Sequence, residues 1–243
     1  MRDETVVVIP ARMSGQRLPG KPMIDILGKP MIQHVYERCS SVVPADCVFI
    51  ATEDDVIVDF CRNHEMNVVK TDSAPTAIDR IFLFSKQVVA KNYLTVLGDE
   101  PIINVKDISR VLEYAHDHPD RVVFGKCAAT AEEFVDISKA KVVCDIEGKL
   151  LYSSRAGIPV DKQGQFVRAE RAIWIYSFPR SSLARYFNGR DSGKLEALES
   201  NEILRFLEIG EPVYCVDLIG DSWAVDESKD LEIVRKRLLK EKL

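Results

Sequence analysis

The sequence predicts an α/β protein built on a mostly parallel, doubly wound sheet, and three observations carry that expectation. Short apolar runs rich in β-branched residues, such as Val6 to Ile9, alternate with segments of helical periodicity, such as Ile32 to Cys39. The runs are apolar throughout rather than every second residue, which suits strands covered on both faces. Polar segments bearing glycine, proline and charge follow the carboxyl ends of two of these runs, where open α/β sheets bind ligands.

The chain has 243 residues, enough for one large α/β domain with an ample core, and we read 1–243 as a single domain. Hydrophobic residues make up 46% and charged residues 29%, an ordinary soluble composition that argues against disorder. With 33 basic and 38 acidic side chains the net charge is −5, so nucleic acid and anionic membrane are not expected partners. Any anionic substrate must be met by local cations. Six cysteines, at 39, 47, 61, 127, 144 and 215, lie in apolar surroundings without a CxxC pair and read as buried thiols. The acidic N-terminus lacks the apolar run of a signal peptide, no stretch approaches membrane-spanning length, and the expected location is the cytoplasm.

Val6 to Ile9 forms the first strand, which Pro10 stops. Ala11 and Arg12 then open a loop holding Gly15, Arg17, Pro19, Gly20 and Lys21. No Walker pattern is present, but fixed Arg and Lys side chains there suit a polyphosphate; a solvated basic turn is the other reading. Pro30 opens a helix through Ile32, Val35, Tyr36 and Cys39. Cys47 to Ala51 is the second strand, Thr52 to Asp55 has capping-box spacing before a second helix, and Asn67 to Lys70 is the third strand. A polar turn from Thr71 to Arg80 leads into an apolar helix from Ile81 to Val89.

Tyr93 to Leu97 is a buried strand that delivers Gly98-Asp99-Glu100-Pro101 at its carboxyl end. A triphosphate arrives with Mg²⁺, which takes one or two carboxylates, so Asp99 is a candidate ligand; capping the helix from Val105 to Tyr114 is the alternative. Arg121 to Cys127 is a further strand, and His116 and His118 read as surface residues. Lys141 to Cys144 and the run from Lys149 to Pro159 form a hairpin within a small lobe spanning about 136–175. Ala172 to Tyr176 is a strand, Pro179 to Phe187 and Lys194 to Ile209 are helices, and Val213 to Val216 is the last strand. Asp226 precedes a closing helix from Leu231 to Leu238, as its cap, as a metal ligand, or as both.

The strings PAR-x4-RLPGKP and GKPMIQHVYER near the N-terminus, with KVV-x-D-x-EG-x-x-LY-x-SRA-x-IP from Lys141, resemble the cytidylyltransferases that activate 3-deoxy-manno-octulosonate (Kdo). The resemblance runs from Val6 to about Arg237. It implies a Rossmann-like nucleotide-diphospho-sugar transferase fold and a homodimer contacting through the lobe. It also implies CMP transfer from CTP to a 2-keto-3-deoxy sugar acid, with release of pyrophosphate, in lipopolysaccharide or capsule synthesis. By the same resemblance Ala11, Arg12, Arg17, Lys21, Thr76, Arg80 and Asp99 bind the nucleotide, while Asp99 and Asp226 hold Mg²⁺. Catalysis falls to Arg12, Lys21, Asp99 and Asp226.

Lys141, Arg155, Arg171 and Glu202 are the implied sugar-acid contacts. An Arg is a natural partner for the sugar carboxylate, although Arg155 also reads as half of a structural ion pair, and Glu202 as part of a solvated helix face. The chain departs from the family pattern where Ile78 replaces a hydroxyl, Leu97 a Gln, Ala172 a His and Trp174 a Gly. The last three lie on the expected sugar side. An amino-Kdo or nonulosonate therefore stays open as substrate beside Kdo, as does a non-catalytic nucleotide-binding role.

Overall fold

The computed structural model describes residues 4–15, 18–189 and 194–241. Its strands are β1 (Thr5–Pro10), β2 (Asp25–Ile26), β3 (Lys29–Pro30), β4 (Val48–Thr52), β5 (Val68–Lys70), β6 (Asn92–Val96), β7 (Val122–Ala128), β8 (Lys141–Cys144), β9 (Leu150–Ser154), β10 (Glu170–Pro179) and β11 (Val213–Asp217). Its α-helices are α1 (Met31–Ser40), α2 (Asp55–Asn63), α3 (Ala77–Ser85), α4 (Val105–Asp117), α5 (Ala131–Val135), α6 (Arg180–Asn188), α7 (Lys194–Glu199), α8 (Leu204–Glu208) and α9 (Ser228–Glu241).

The main sheet runs β11-β7-β10-β6-β1-β4-β5. Its neighbours are parallel except for β10, which lies antiparallel between β6 and β7. From β1 the chain winds outward through β4 and β5, then returns to place β6 on β1's other side. The order thus reverses between β1 and β6, the place where doubly wound sheets open a crevice for ligands. The β8–β9 hairpin extends the sheet sideways through β8, which pairs with β10.

Both faces of the sheet are covered, which explains why its strands are apolar throughout. On one face Val7, Ile9, Leu94 and Val96 pack with Ile32 and Val35 of α1, Ile57 of α2 and Ile108 of α4. On the other, Val6, Val8 and Phe178 pack with Ile81 and Phe84 of α3 and with Leu183 and Tyr186 of α6. A third cluster joins Ile26 and Met31 to Leu231, Val234 and Leu238, laying α9 against the β2–β3 turn.

Four local expectations need correction. The helix expected from Ile81 begins at Ala77, because Thr76 caps it: its hydroxyl oxygen accepts from Asp79 N at 3.1 Å. The helix expected over Lys194 to Ile209 is broken into α7 and α8; Ser200 turns to a φ of 46°, and buried Asn201 donates to Ser153 Oγ at 2.9 Å. No capping box forms at Thr52 to Asp55, since α2 starts at Asp55 itself and Thr52 Oγ1 accepts from Asp54 N at 3.1 Å. The box occurs unannounced at Thr130–Glu133 before α5. Finally, α9 begins at Ser228, so Glu227 and not Asp226 directly precedes it, and Asp230 in its first turn accepts from the N–H groups of both.

The six cysteines are free thiols, all buried except half-buried Cys144. His116 is exposed and His118 lies against the Tyr114 ring.

Candidate active site

Two chain reversals, one after β1 and one after β6, build the site. Ala11 N donates to Ala51 O at 3.0 Å, extending β1's pairing by one residue before the chain turns away. The loop then closes on itself, Gly20 N donating to Met13 O at 3.0 Å. Gly20 adopts a φ of 70°, which favours glycine, and it points the next residue, Lys21, back toward β6. Gly98 carries the exit from β6 past the end of β1: a Cβ there would sit 2.9 Å from Pro10 O. Glycine is what allows these two turns to touch.

The turns line a cavity of about 680 Å³ that holds Arg12, Gly15, Lys21, Gly98 and Asp99 on their own side. Thr76, Ala77 and Arg80 lie on the side of α3, and Leu97, Trp174, Tyr176, Arg155 and Glu202 on the side of the lobe. A smaller cleft of about 320 Å³ between α4 and α9 is lined by Arg38, Asn104, Asp221 and Arg237, whose polar groups answer one another or nearby carbonyls.

Arg12 is exposed at the mouth of the larger cavity. Arg17, expected beside it, lies outside the described residues. Lys21 reaches across: Nζ donates to Asp99 Oδ2 at 2.7 Å and to Val225 O at 2.9 Å, with Asp226 Oδ1 at 3.6 Å. Asp99, Asp226 and Lys21, distant in sequence, therefore meet at one point. Asn104, not Asp99, caps α4. Asp99 Oδ1 is buried without a hydrogen-bond partner among the described residues, an orphaned acceptor of the kind a hard cation satisfies. Two carboxylates and a carbonyl also form an oxygen set suited to Mg²⁺, so the residues fit that ion. Burial, and then the charge of Asp99, push the adjacent Glu100 carboxyl up to about 8, so at neutral pH Glu100 keeps its proton.

On the α3 side, cavity-lining Thr76 donates its hydroxyl proton to Asp79 Oδ2 at 2.7 Å while its oxygen accepts from Asp79 N at 3.1 Å. Arg80 lines the cavity but is 2% exposed, donating to Thr71 Oγ1 at 2.9 Å and pairing with Glu53 at 3.3 Å. Glu202 is not on a solvated helix face. It precedes α8 and accepts from Ala77 N at 3.1 Å and Ile78 N at 3.0 Å, seated on the N-terminus of α3. Burial raises its pKa, and those two backbone bonds partly offset the rise.

The sugar-side residues divide. Arg155 lines the cavity, yet its guanidinium donates to the carbonyls of Glu199 at 2.7 Å, Ser200 at 2.9 Å and Ile137 at 3.1 Å, bolting the hairpin to α7. It is neither a simple ion pair nor a free cation. Lys141 is fully buried and spends its ammonium on the carbonyls of Asp136, Lys139 and Arg155, at 2.9, 2.6 and 2.7 Å. Arg171 pairs with Glu133 and donates to Gly220 O at 2.7 Å, away from the cavity lining. Lys141 and Arg171, expected as substrate contacts, do not line this cavity and hold the lobe together. Replacing Lys141 with Met strands three carbonyls, and the expected result is a loss of about 2–3 kcal/mol in a denaturant melt. Sugar-acid KM should change by less than about twofold.

Of the departures from the family pattern, Leu97 and Trp174 face the cavity. Ala172 does not itself line the cavity and is buried in the core against β8, its N–H donating to Ala140 O at 2.8 Å. The sequence reading missed Tyr176, Ser138, Ser200 and Asn201, which also line the cavity. For Tyr176 the signal was available: it stands two residues after Trp174 on one strand and so points the same way.

A doubly wound sheet with basic and acidic side chains facing each other at its switch point defines a nucleotide-binding transferase of the nucleotidyl-transfer kind. Comparison with known proteins narrows this. The sequence model of the family described as cytidylyltransferase matches residues 6–213, and the chain belongs to that family. It is 34% identical to the 3-deoxy-manno-octulosonate cytidylyltransferase of Escherichia coli, covering 98% of this chain and 97% of the relative. It is also 34% identical to the 8-amino-3,8-dideoxy-manno-octulosonate cytidylyltransferase of Shewanella sediminis, covering 96% and 97%. Among solved structures, a CMP:2-keto-3-deoxy-manno-octonic acid synthetase complexed with CTP superposes with a TM-score of 0.91 at 33% identity, covering 98% of this chain and 99% of that one.

Proposed function

We propose that the protein transfers CMP from CTP to the anomeric hydroxyl of 3-deoxy-manno-octulosonate, releasing pyrophosphate, with lipopolysaccharide or capsule as the destination of the product. The observation that carries this reading is the convergence of the loop after β1 with Asp99 and Asp226 at the switch point of the sheet. The sugar hydroxyl oxygen bonds to the α-phosphorus, the bond from that phosphorus to the β-phosphate oxygen breaks, and the hydroxyl proton is lost. Arg12, Arg17 and Lys21 neutralise charge growing on the leaving pyrophosphate. Asp99 and Asp226 would hold Mg²⁺, which supplies Lewis-acid stabilisation of the phosphate oxygens when bound. No covalent nucleophile is required.

Ala11 and Thr76 meet the nucleoside. The solved relative complexed with CTP supports that nucleotide. Arg80 acts from behind this wall, and Glu202 and Arg155 face the sugar acid. The described residues contain no helix long and apolar enough to cross a membrane, consistent with action in the cytoplasm. Val135, Ile137 and Leu151 leave an apolar surface on the lobe, consistent with homodimerisation there.

A second sugar acid has a specific observation in its favour, because Leu97 and Trp174 make one wall of the cavity apolar. Pyrophosphate release with CTP and Mg²⁺ across Kdo, its 8-amino analogue, a sialic acid and no sugar tests both readings. Release with Kdo is expected. Release with the amino analogue alone would replace it, and silence with every sugar would sink the enzyme reading. Trp174→Gly should shift the ratio of kcat/KM between Kdo and the amino analogue by about tenfold, the scale of a hydrophobic-pocket contact.

A further inference from the structure

Three oxygens close around the Lys21 ammonium: Asp99 Oδ2 at 2.7 Å, Val225 O at 2.9 Å and Asp226 Oδ1 at 3.6 Å. The cage does not depend on Lys21 for its shape. Val225 N donates to Asp99 O at 2.9 Å, which holds the turn after β6 and the segment before α9 in register through the backbone. Asp99 Oδ1, on the same carboxylate, is buried and unpartnered among the described residues. An ammonium satisfies such a cage only in part, whereas a hard divalent cation takes six or more oxygens. Lys21 is also not locked in. It follows Gly20 on a surface loop, its side chain keeps 20% of its exposure, and a four-carbon stem can redirect its head without moving the backbone.

We propose that Lys21 is the resident counter-ion of the Asp99–Asp226 pair in the nucleotide-free protein. Its ammonium leaves for the polyphosphate when CTP enters, and only then do the carboxylates accept a divalent cation. The metal therefore loads with the nucleotide rather than ahead of it. Two close carboxylates repel, and the ammonium relieves that repulsion while the site waits. A free divalent cation has to displace a charge-assisted hydrogen bond to bind. A nucleotide chelate brings phosphate oxygens that take over the ammonium, so the exchange conserves charge pairing. This inference rests on the cytidylyltransferase reading only for the identity of the polyphosphate.

The test is direct binding of Mn²⁺ to nucleotide-free protein, read from the electron-spin signal of the free ion. Wild type is expected to bind weakly alone and tightly with a non-hydrolysable CTP analogue. Lys21→Met, and Lys21→Gln as a second variant, should bind Mn²⁺ without nucleotide at least about tenfold more tightly than wild type, the effect of removing one nearby positive charge. Adding Asp99→Asn to Lys21→Met should abolish that gain. Tight nucleotide-independent binding by wild type, or equal affinity in wild type and both Lys21 variants, overturns the inference. The expected Mn²⁺ pattern without pyrophosphate release from any sugar acid would instead uphold the counter-ion and reject the proposed reaction.

Discussion

Asp99→Asn is expected to lower kcat for pyrophosphate release on the order of 10³-fold, about 4 kcal/mol of transition-state stabilisation, while the thermal midpoint moves by less than about 3 °C. The asymmetry follows from where the residue sits. Asp99 leaves the tip of β6, and helix α4 does not need it, because Asn104 accepts from Lys106 N at 2.9 Å as that helix's cap. Asparagine keeps the shape and still offers Lys21 a carbonyl oxygen. What it removes is the charge. Glu100 does not stand in for that charge, because it is buried and does not line the cavity. The measurement is single-turnover pyrophosphate release beside a thermal melt of the same sample; a variant within threefold of wild-type rate would remove Asp99 from the mechanism.

The parts of the site legible in the sequence were those fixed by local chemistry. Pro10, Gly15, Pro19 and Gly20 forbid regular structure after β1, and an acid at the end of a buried strand has few reasons to be there. The framework of alternating strands and helices follows from apolar runs whose covered faces are seen in the two main core clusters. What could not be read was which cations remain available. Arg12 and Lys141 look alike as letters, but Arg12 stands exposed at the cavity mouth, while Lys141 lies fully buried on three carbonyls. Nor could periodicity show that the helix around Glu202 breaks, because the cause is a bond from Asn201 to Ser153, which lies 48 residues away. That break turns Glu202 onto the N-terminus of α3. Long-range hydrogen bonds override helical spacing in this part of the chain, and sequence offers no period by which to see them.

Arg205→Met is the second large expected effect, a loss of about 3–5 kcal/mol of stability with the catalytic groups untouched. Arg205 is buried at the start of α8 and ties three elements together. Its Nη1 donates to Asp79 Oδ1 of α3 at 3.1 Å, its Nη2 donates to Glu196 Oε1 of α7 at 2.8 Å, and its guanidinium lies 4.0 Å from the centre of the Tyr186 ring of α6. Burial alone would lower the pKa of Arg205; the Glu196 hydrogen bond and the charges of Asp79 and Glu196 raise it instead, so the cation is held by its partners. Methionine fills much of the volume but leaves two carboxylates in a dry site. Denaturant melts of the variant beside wild type measure the loss. Adding Asp79→Asn should recover part of the loss, because it removes one stranded charge. A double variant without recovery would mean that packing against Tyr186 dominates. Asp79 also receives the Thr76 hydroxyl proton, so the same cluster that stabilises this side of the protein holds a side chain of the cavity wall.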